Sequence, residues 1–426
     1  PPSTLSGAPV LNTALQDFPA APSRPLLRAA QWCAMLCLVV APFRSSAGLR
    51  AGLLVLAAML MLADAARHGG WRALLPQRSI ATDGILLWLT AVLAWCFFSR
   101  DVTESFSTFK GEVAIPLLAG AVFFGLTRTA DDMQQWLLAL IVGLAGLLAS
   151  MFIDPFRQGG SIPRPWYGGV GAVSTWVVTM AALLPFAWHA PRAGRIRWAG
   201  GAALLLLAAV AYLSGNRMVW ASFALMLVAF AVLNVGAGQA MPKTRSLLGL
   251  VLAVAVLGLL FFASSEARFD GLVEDRGSVA LLLQDNRLAL WREVMRMIAE
   301  QPLAGRGFGR EVVEAELVAR FTDPQHRGLF LQAHNLLFNY ALQMGLAGVA
   351  AILLLFTALG IKYLYLARQQ GVARLAGICG CMLLIGVFSK NMTDDFFIRQ
   401  NALLFWAAIG MLAGMARGSG REINGG

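Results

Sequence analysis

Residues 345–367 read GLAGVAAILLLFTALGIKYLYLA, with Lys362 as the one formal charge in the run. At about 1.5 Å of rise per residue such a run crosses a hydrocarbon core of roughly 30 Å. Its apolar residues surround the helix axis instead of forming a stripe, the pattern of a helix whose neighbours are lipid or other helices. The same kind of block recurs on either side. Downstream lie 374–389 and 399–416, and upstream lie 26–42, 48–64, 83–98, 113–127, 133–153, 170–188, 197–213, 218–234 and 246–263.

Of the 426 residues 58% are hydrophobic and 13% charged, with the charges gathered between the blocks. The chain is therefore read as an all-α polytopic membrane protein with about twelve transmembrane helices. Helices satisfy their own backbone in lipid, and the polar alternation of a barrel strand is missing. Domain by domain the expectation is a cytoplasmic tail at 1–25, spans at 26–263, a periplasmic loop domain bearing amphipathic helices at 264–344, further spans at 345–416, and a second cytoplasmic tail at 417–426. The opening stretch, PPSTLSGAPVLNTALQDFPAAPSRP, has no basic segment followed by an apolar one and reads as a loose tail, not a signal peptide.

An even number of spans puts both termini on one side. Arg67, Arg72, Arg78, Arg192, Arg195, Lys243 and Arg245 fall in connections that face that side, which makes it the cytoplasm. The net charge of +11 thus reports topology, and no nucleic-acid partner is expected. Cys33, Cys37, Cys96, Cys379 and Cys381 all fall inside the blocks, which argues against an exported disulfide framework.

The connections are short except for the one between about 264 and 334, on the outer face; loops of that length in a compact protein usually carry function. Within it Asp285 can cap a helix beginning at Asn286-Arg287-Leu288. Leu288, Trp291, Met295 and Ile298 form its apolar face, with Arg292 and Arg296 elsewhere, and Pro302 with Gly305-Arg306-Gly307-Phe308-Gly309 ends it. Such a helix is expected to lie along the membrane surface, apolar face down.

Several outer-face residues could carry chemistry, and each has a plainer reading. Arg217, in Ser214-Gly215-Asn216-Arg217, sits at the membrane boundary and reads equally as an anchor or a ligand contact. Arg287 and Arg292 on the loop helix could hold an anion or be solvated helix charge. His334, in Gln332-Ala333-His334-Asn335, could serve as general base or acid, or only as packing; His68, His189 and His326 are less well placed. Asp394-Asp395 could bind a metal with a diphosphate or, as adjacent residues about 100° apart on a helix favour, brace nearby arginines. Arg157 and Arg164 lie in a Gly- and Pro-rich loop, as substrate contacts or loop filler. Guanidinium groups match phosphate oxygens two at a time and keep their charge. Arginines from several loops, a histidine and carboxylates on one face suit the binding of a lipid-linked diphosphate and the transfer of its sugar.

These residues also carry a likeness. Ser214-Gly215-Asn216-Arg217 opens a span; Arg287 and Trp291 are followed by Pro302-Leu303-Ala304-Gly305-Arg306-Gly307-Phe308-Gly309; His334-Asn335 is followed by Gly345-Leu346-Ala347-Gly348. In that order the chain resembles the O-antigen ligase family, a group related to O-antigen polymerases and protein O-oligosaccharyltransferases, mainly over 210–400.

The resemblance implies an inverting glycosyltransferase of the bacterial inner membrane with a periplasmic active site, working without metal or other cofactor. It would move polysaccharide from undecaprenyl diphosphate to lipid A core, both presented by membrane lipids. Carried over, Arg217 and Arg287 would hold the diphosphate and His334 would serve the transfer. Arg164, Arg292, Asn335 and Asp395 join them as expected substrate contacts, placed by position more than by motif.

The rival readings are a polymerase, for which two large outer loops are expected where one is found, and a protein O-oligosaccharyltransferase, for which more chain after the last span is expected. A 12-helix transporter is a third, against which stands the scarcity of ionisable residues within the spans.

Overall fold

The computed structural model describes residues 24–71, 74–157, 169–188, 193–235, 244–269, 287–320, 332–395 and 397–423. The expected N-terminal tail up to residue 23, Arg164, His189, Asp285 and His326 lie outside the described residues. Every regular element among those residues is helical. In chain order they are α1 Pro25–Val40, α2 Ala47–His68, α3 Ile80–Phe97, α4 Val102–Phe109, α5 Ile115–Leu126, α6 Ala130–Arg157, α7 Val170–Ala181, α8 Pro185–Trp188, α9 Ala193–Leu213, α10 Met218–Val235, α11 Thr244–Phe269, α12 Arg287–Glu300, α13 Arg310–Arg320, α14 Leu336–Ala367, α15 Gly371–Asn391 and α16 Arg399–Ile423.

By length and composition six helical stretches qualify to cross a membrane: Arg44–His68, Ile80–Phe97, Val102–Leu126, Ala130–Phe152, Leu336–Ala367 and Gly371–Asn391. Five shorter apolar helices, of 10–17 residues, fall on other predicted spans. Six of the twelve predicted spans thus meet both the length and the apolar content of a crossing helix among the described residues.

Apolar side chains from most of these helices form one core, with Trp88, Trp136, Trp176 and Trp406 among its largest members. Small residues set the closest crossing. A Cβ on Gly410 of α16 would collide with the Gly120 carbonyl of α5, and one on Gly414 would come within 2.5 Å of the Thr127 carbonyl oxygen. Helices bound by van der Waals packing approach most closely at such positions. The C-terminal end of α1 is closed from α2 by Arg50, 4% exposed, which donates to the carbonyls of Ala41 at 2.7 Å and Phe43 at 3.0 Å. Ala41 is the C-cap of α1, where carbonyls lack an intrahelical partner, and the Phe43 carbonyl also accepts from the Ser46 N–H at 3.2 Å.

α14 begins well before the predicted start at 345. Asn335 caps it, its side chain accepting from the Phe338 N–H at 3.1 Å. Gly345 is a break inside the helix, at φ 66 and ψ −162. The break frees backbone groups that the segment 302–309 takes up. The Leu346 N–H donates to the Pro302 carbonyl at 2.7 Å, the Arg306 N–H to the carbonyls of Leu342 and Gln343 at 3.0 Å, and the Gly307 N–H to Gln343 at 2.8 Å. The Pro- and Gly-rich run that ends α12 is thus a plug seated in a kinked helix.

The surface-lying orientation expected for α12 meets a different arrangement. Its buried positions are Leu290, Val294 and Met297, flanked by partly buried Trp291 and Ile298, packed on Val313 and Leu317 of α13 and on Ala333 and Leu342. Met295, expected on the apolar face, is exposed. The apolar face closes on protein because α13 supplies a complementary face.

Ion pairs clamp α12, α13 and the plug together. Arg306, 2% exposed, donates to both Glu316 carboxylate oxygens at 2.7 and 2.9 Å, to Glu300 at 3.1 Å and to the Met297 carbonyl at 3.0 Å. Arg320 closes the set on Glu293, Glu300 and Glu316. The Arg306 guanidinium hydrogen-bonded to Glu316 holds its carboxyl down at about 2.

Candidate functional site

Three separate segments meet at one end of the bundle: 214–217 between α9 and α10, 332–335 before α14, and 392–398 between α15 and α16. Asn335 ties two of them, because its Nδ2 donates to the Met392 carbonyl at 2.7 Å while its oxygen caps α14. His334, the residue before the cap, lies at φ 51, a left-handed conformation that a non-glycine residue adopts only where its surroundings impose it.

The His334 imidazole Nδ1 is 3.2 Å from Asp394 Oδ1, and the Gln332 amide nitrogen is 3.4 Å from the same ring nitrogen. Oδ2 of Asp394 accepts from Asn216 Nδ2 at 3.0 Å and from Lys390 Nζ at 3.3 Å, one helical turn back on α15. Lys390 is fully buried and Asp394 is 6% exposed, so the ion pair compensates two desolvated charges. A carboxylate paired with an ammonium only accepts hydrogen bonds. The imidazole proton therefore sits on Nδ1, and the lone pair is left at Nε2, the nitrogen suited to take a proton from a substrate.

The neighbouring Asp395 is 2% exposed and engaged on all sides. It pairs with Arg310 Nη2 at 2.9 Å and accepts from Asn339 Nδ2 at 2.5 Å and from the Phe397 N–H at 3.1 Å. Adjacent in sequence, the two aspartates thus face different partners, Asp394 the imidazole and Asp395 an arginine of α13. Asp395 and Asn335, expected as substrate contacts, both have their side chains occupied within the protein.

Arg217 directly follows Asn216, whose side chain both bonds Asp394 and accepts from the Met218 N–H at 3.1 Å, which opens α10. Its side chain is half-buried. Arg287 opens α12 one turn before Trp291, and Trp291 Nε1 donates to the Ala333 carbonyl, beside His334, at 2.8 Å; its own side chain lies outside the described residues. Trp291 also stacks edge-on against Phe338 of α14, ring centroids 5.8 Å apart. Arg217 therefore adjoins in the chain, and Arg287 precedes by one helical turn, a residue bonded to the neighbourhood of the imidazole. Arg292 is exposed, away from the buried stripe of α12.

Several participants escaped the sequence reading. Lys390 stands four before Asp394, the spacing of a helical ion pair, and that signal was available, whereas the sequence reading had Asp394 bracing arginines. Asn216 was quoted only as part of a motif. Arg310 carried no signal beyond following Gly309. Glu112 sits on a π turn, Lys110–Ala114, and lines a small cleft with Trp88, Arg310, Tyr340 and Asp395. Such turns concentrate at functional sites.

Residues 202–353 match the family model described as O-antigen ligase. No curated protein matches the chain. The matched stretch runs from within α9 to within α14 and holds Arg217, Arg287, the 302–309 plug and His334, while Asp394 and Asp395 lie beyond it. The match supports an O-antigen ligase family assignment for residues 202–353, of the ligase and polymerase type of membrane glycosyltransferase.

Proposed function

We propose that the protein is an O-antigen ligase that transfers polysaccharide from undecaprenyl diphosphate to a sugar hydroxyl of lipid A core. The reaction would take place at the periplasmic face of the bacterial inner membrane, in a chain crossing it about twelve times with both termini in the cytoplasm. The observation that carries this reading is the His334–Asp394 pair, 3.2 Å apart, flanked through Asn216 and Trp291 by the chain positions of Arg217 and Arg287.

In this mechanism His334 Nε2 takes the proton of the acceptor hydroxyl as its oxygen bonds to the anomeric carbon. The bond from that carbon to the diphosphate oxygen breaks on the opposite side, so the configuration inverts. Asp394 holds the imidazole tautomer and stabilises the imidazolium that forms. Arg217 and Arg287 bind the diphosphate and stabilise its growing charge, the task that a metal performs in other diphosphate chemistry. Both substrates are lipids and enter from the bilayer.

The test is transfer onto lipid A core in a host lacking its own ligase, supplied with the native donor and acceptor. The intact protein is expected to restore transfer, and His334→Ala and Arg217→Ala at matched expression are expected to abolish it. Lengthening of the lipid-linked chain without transfer to lipid A core would instead identify a polymerase. No reaction from the correctly inserted protein would end the ligase reading.

A further inference from the structure

We propose that Arg310 is the positioning residue of this site, a clamp that holds the segment bearing His334 against the turn bearing Asp394. Arg310 is the first residue of α13 and is only 11% exposed in its side chain. One guanidinium nitrogen, Nη1, donates both to the Gln332 side-chain oxygen and, at 3.0 Å, to the Asp395 main-chain carbonyl. The other, Nη2, pairs with the Asp395 carboxylate at 2.9 Å. The fork therefore grips the two segments at once, two residues before the imidazole and one residue after its carboxylate.

The clamp extends one step further on each side. Gln332, its oxygen held by Arg310, lies against the ring with its nitrogen 3.4 Å from His334 Nδ1, a packing contact and not a hydrogen bond, since Nδ1 gives its proton to Asp394. Asp395 accepts from Asn339, and Asn339 Oδ1 in turn accepts from the Ala333 N–H at 3.0 Å, so the residue before His334 is held from both its amide and, by Trp291, its carbonyl. One planar cation thus holds Gln332 on one side of the 3.2 Å His334–Asp394 pair and Asp395 on the other, reaching several acceptors in fixed geometry where an ammonium is a point charge. The position of Arg310 depends on the plug: Gly309 next to it donates to the Gln343 side chain at 2.9 Å, close to the kink of α14. In this way the loop helices are coupled to the imidazole without touching the substrate. Arg310 acts through His334, so its catalytic effect rests on the proposed function, whereas the clamp itself does not.

Two measurements on the full-length protein in lipid separate the two. The first is hydrogen exchange across 332–340 and 393–400, where the Ala333 and Phe397 amides are held by Asn339 and Asp395. Arg310→Ala is expected to speed exchange there at least tenfold while α12 and the core helices keep their protection, with Arg310→Lys intermediate. The second is steady-state transfer. Arg310→Ala is expected to lower kcat at least tenfold with KM within about twofold and to be partly rescued by Arg310→Lys. Unchanged exchange in those two segments overturns the clamp. A loss confined to KM overturns positioning in favour of direct substrate contact. If the intact protein transfers nothing, the ligase reading fails while the exchange result still decides the clamp.

Discussion

Gly345→Ala tests whether the plug and the kink are one device. Gly345 sits at φ 66 and ψ −162, and a Cβ there would fall on the Leu303 carbonyl and 2.8 Å from the Pro302 oxygen. Forcing an alanine into that backbone region costs about 1–3 kcal/mol. Relief by moving the plug loses the bonds from Leu346, Arg306 and Gly307, each worth about 0.5–1.5 kcal/mol net. The two together give roughly 3–7 kcal/mol. Gly360→Ala is the control in the same helix: a Cβ there meets nothing within 4 Å, its φ is ordinary, and the change is expected to be neutral or to stabilise by up to about 1 kcal/mol. Unfolding of the two variants in mixed micelles, with hydrogen exchange over 302–309, reads the difference. If Gly345→Ala falls within about 0.5 kcal/mol of Gly360→Ala, the kink does not depend on glycine and the coupling of plug to helix is wrong.

Asp394→Asn removes the acceptor that fixes the His334 tautomer and leaves Lys390 without its countercharge; transfer is expected to fall by at least about 100-fold at matched insertion, and near-normal transfer would remove Asp394 from the mechanism. Arg217→Lys keeps charge but not the planar fork, so it is expected to transfer no better than Arg217→Ala; full activity would make Arg217 a simple anchor. Glu316 is held at about 2 against an ordinary 4.5. Its stabilisation of the α12–α13 clamp is therefore fully present above about 4.5 and lost as pH falls through about 2. Exchange protection of 287–320 is expected to hold from neutrality to about pH 5 and to fall below it. Glu316→Gln removes that dependence, and an unchanged acid midpoint in the variant would assign the effect elsewhere.

The all-helical, membrane-spanning character was legible because lipid imposes a composition over each whole block, and no tertiary partner is needed to read it; six stretches meet the length and hydropathy of a span. Where a partner decides, legibility stopped. On α12 the residues Leu288, Leu290, Trp291, Val294, Met295, Met297 and Ile298 are all apolar, a stripe so wide that the sequence admits two centres. The buried one was selected by Val313 and Leu317 of α13. The start of α14 was misplaced although its cap, Asn335, was in view, because Gly345 resembles a boundary more than a break. At the candidate site, local motifs singled out His334 and Arg217, and the structure sets His334 and the neighbour of Arg217, Asn216, on one carboxylate. That this carboxylate is Asp394 and not Asp395 was not legible, since adjacent carboxylates differ only in where the chain turns them.

The stretch that matches the family, 202–353, carries the imidazole but not its carboxylate, which follows α15. The same division recurs in each joint of the site. Asn335 caps α14 from inside the stretch and donates to Met392 outside it; Asn216 opens α10 and donates to Asp394; Arg310 leads α13 and pairs with Asp395. A side chain fixed at both ends loses less rotational freedom when substrate binds than one fixed at a single end. The links that cross the boundary of the stretch, Asn335 to Met392, Arg310 to Asp395 and Asn216 to Asp394, span 57, 85 and 178 residues of chain. The geometry of the imidazole is thus a property of the packed bundle. Substitutions between 390 and 398 are expected to disturb transfer as severely as those beside His334, although they lie outside the stretch by which the family is known.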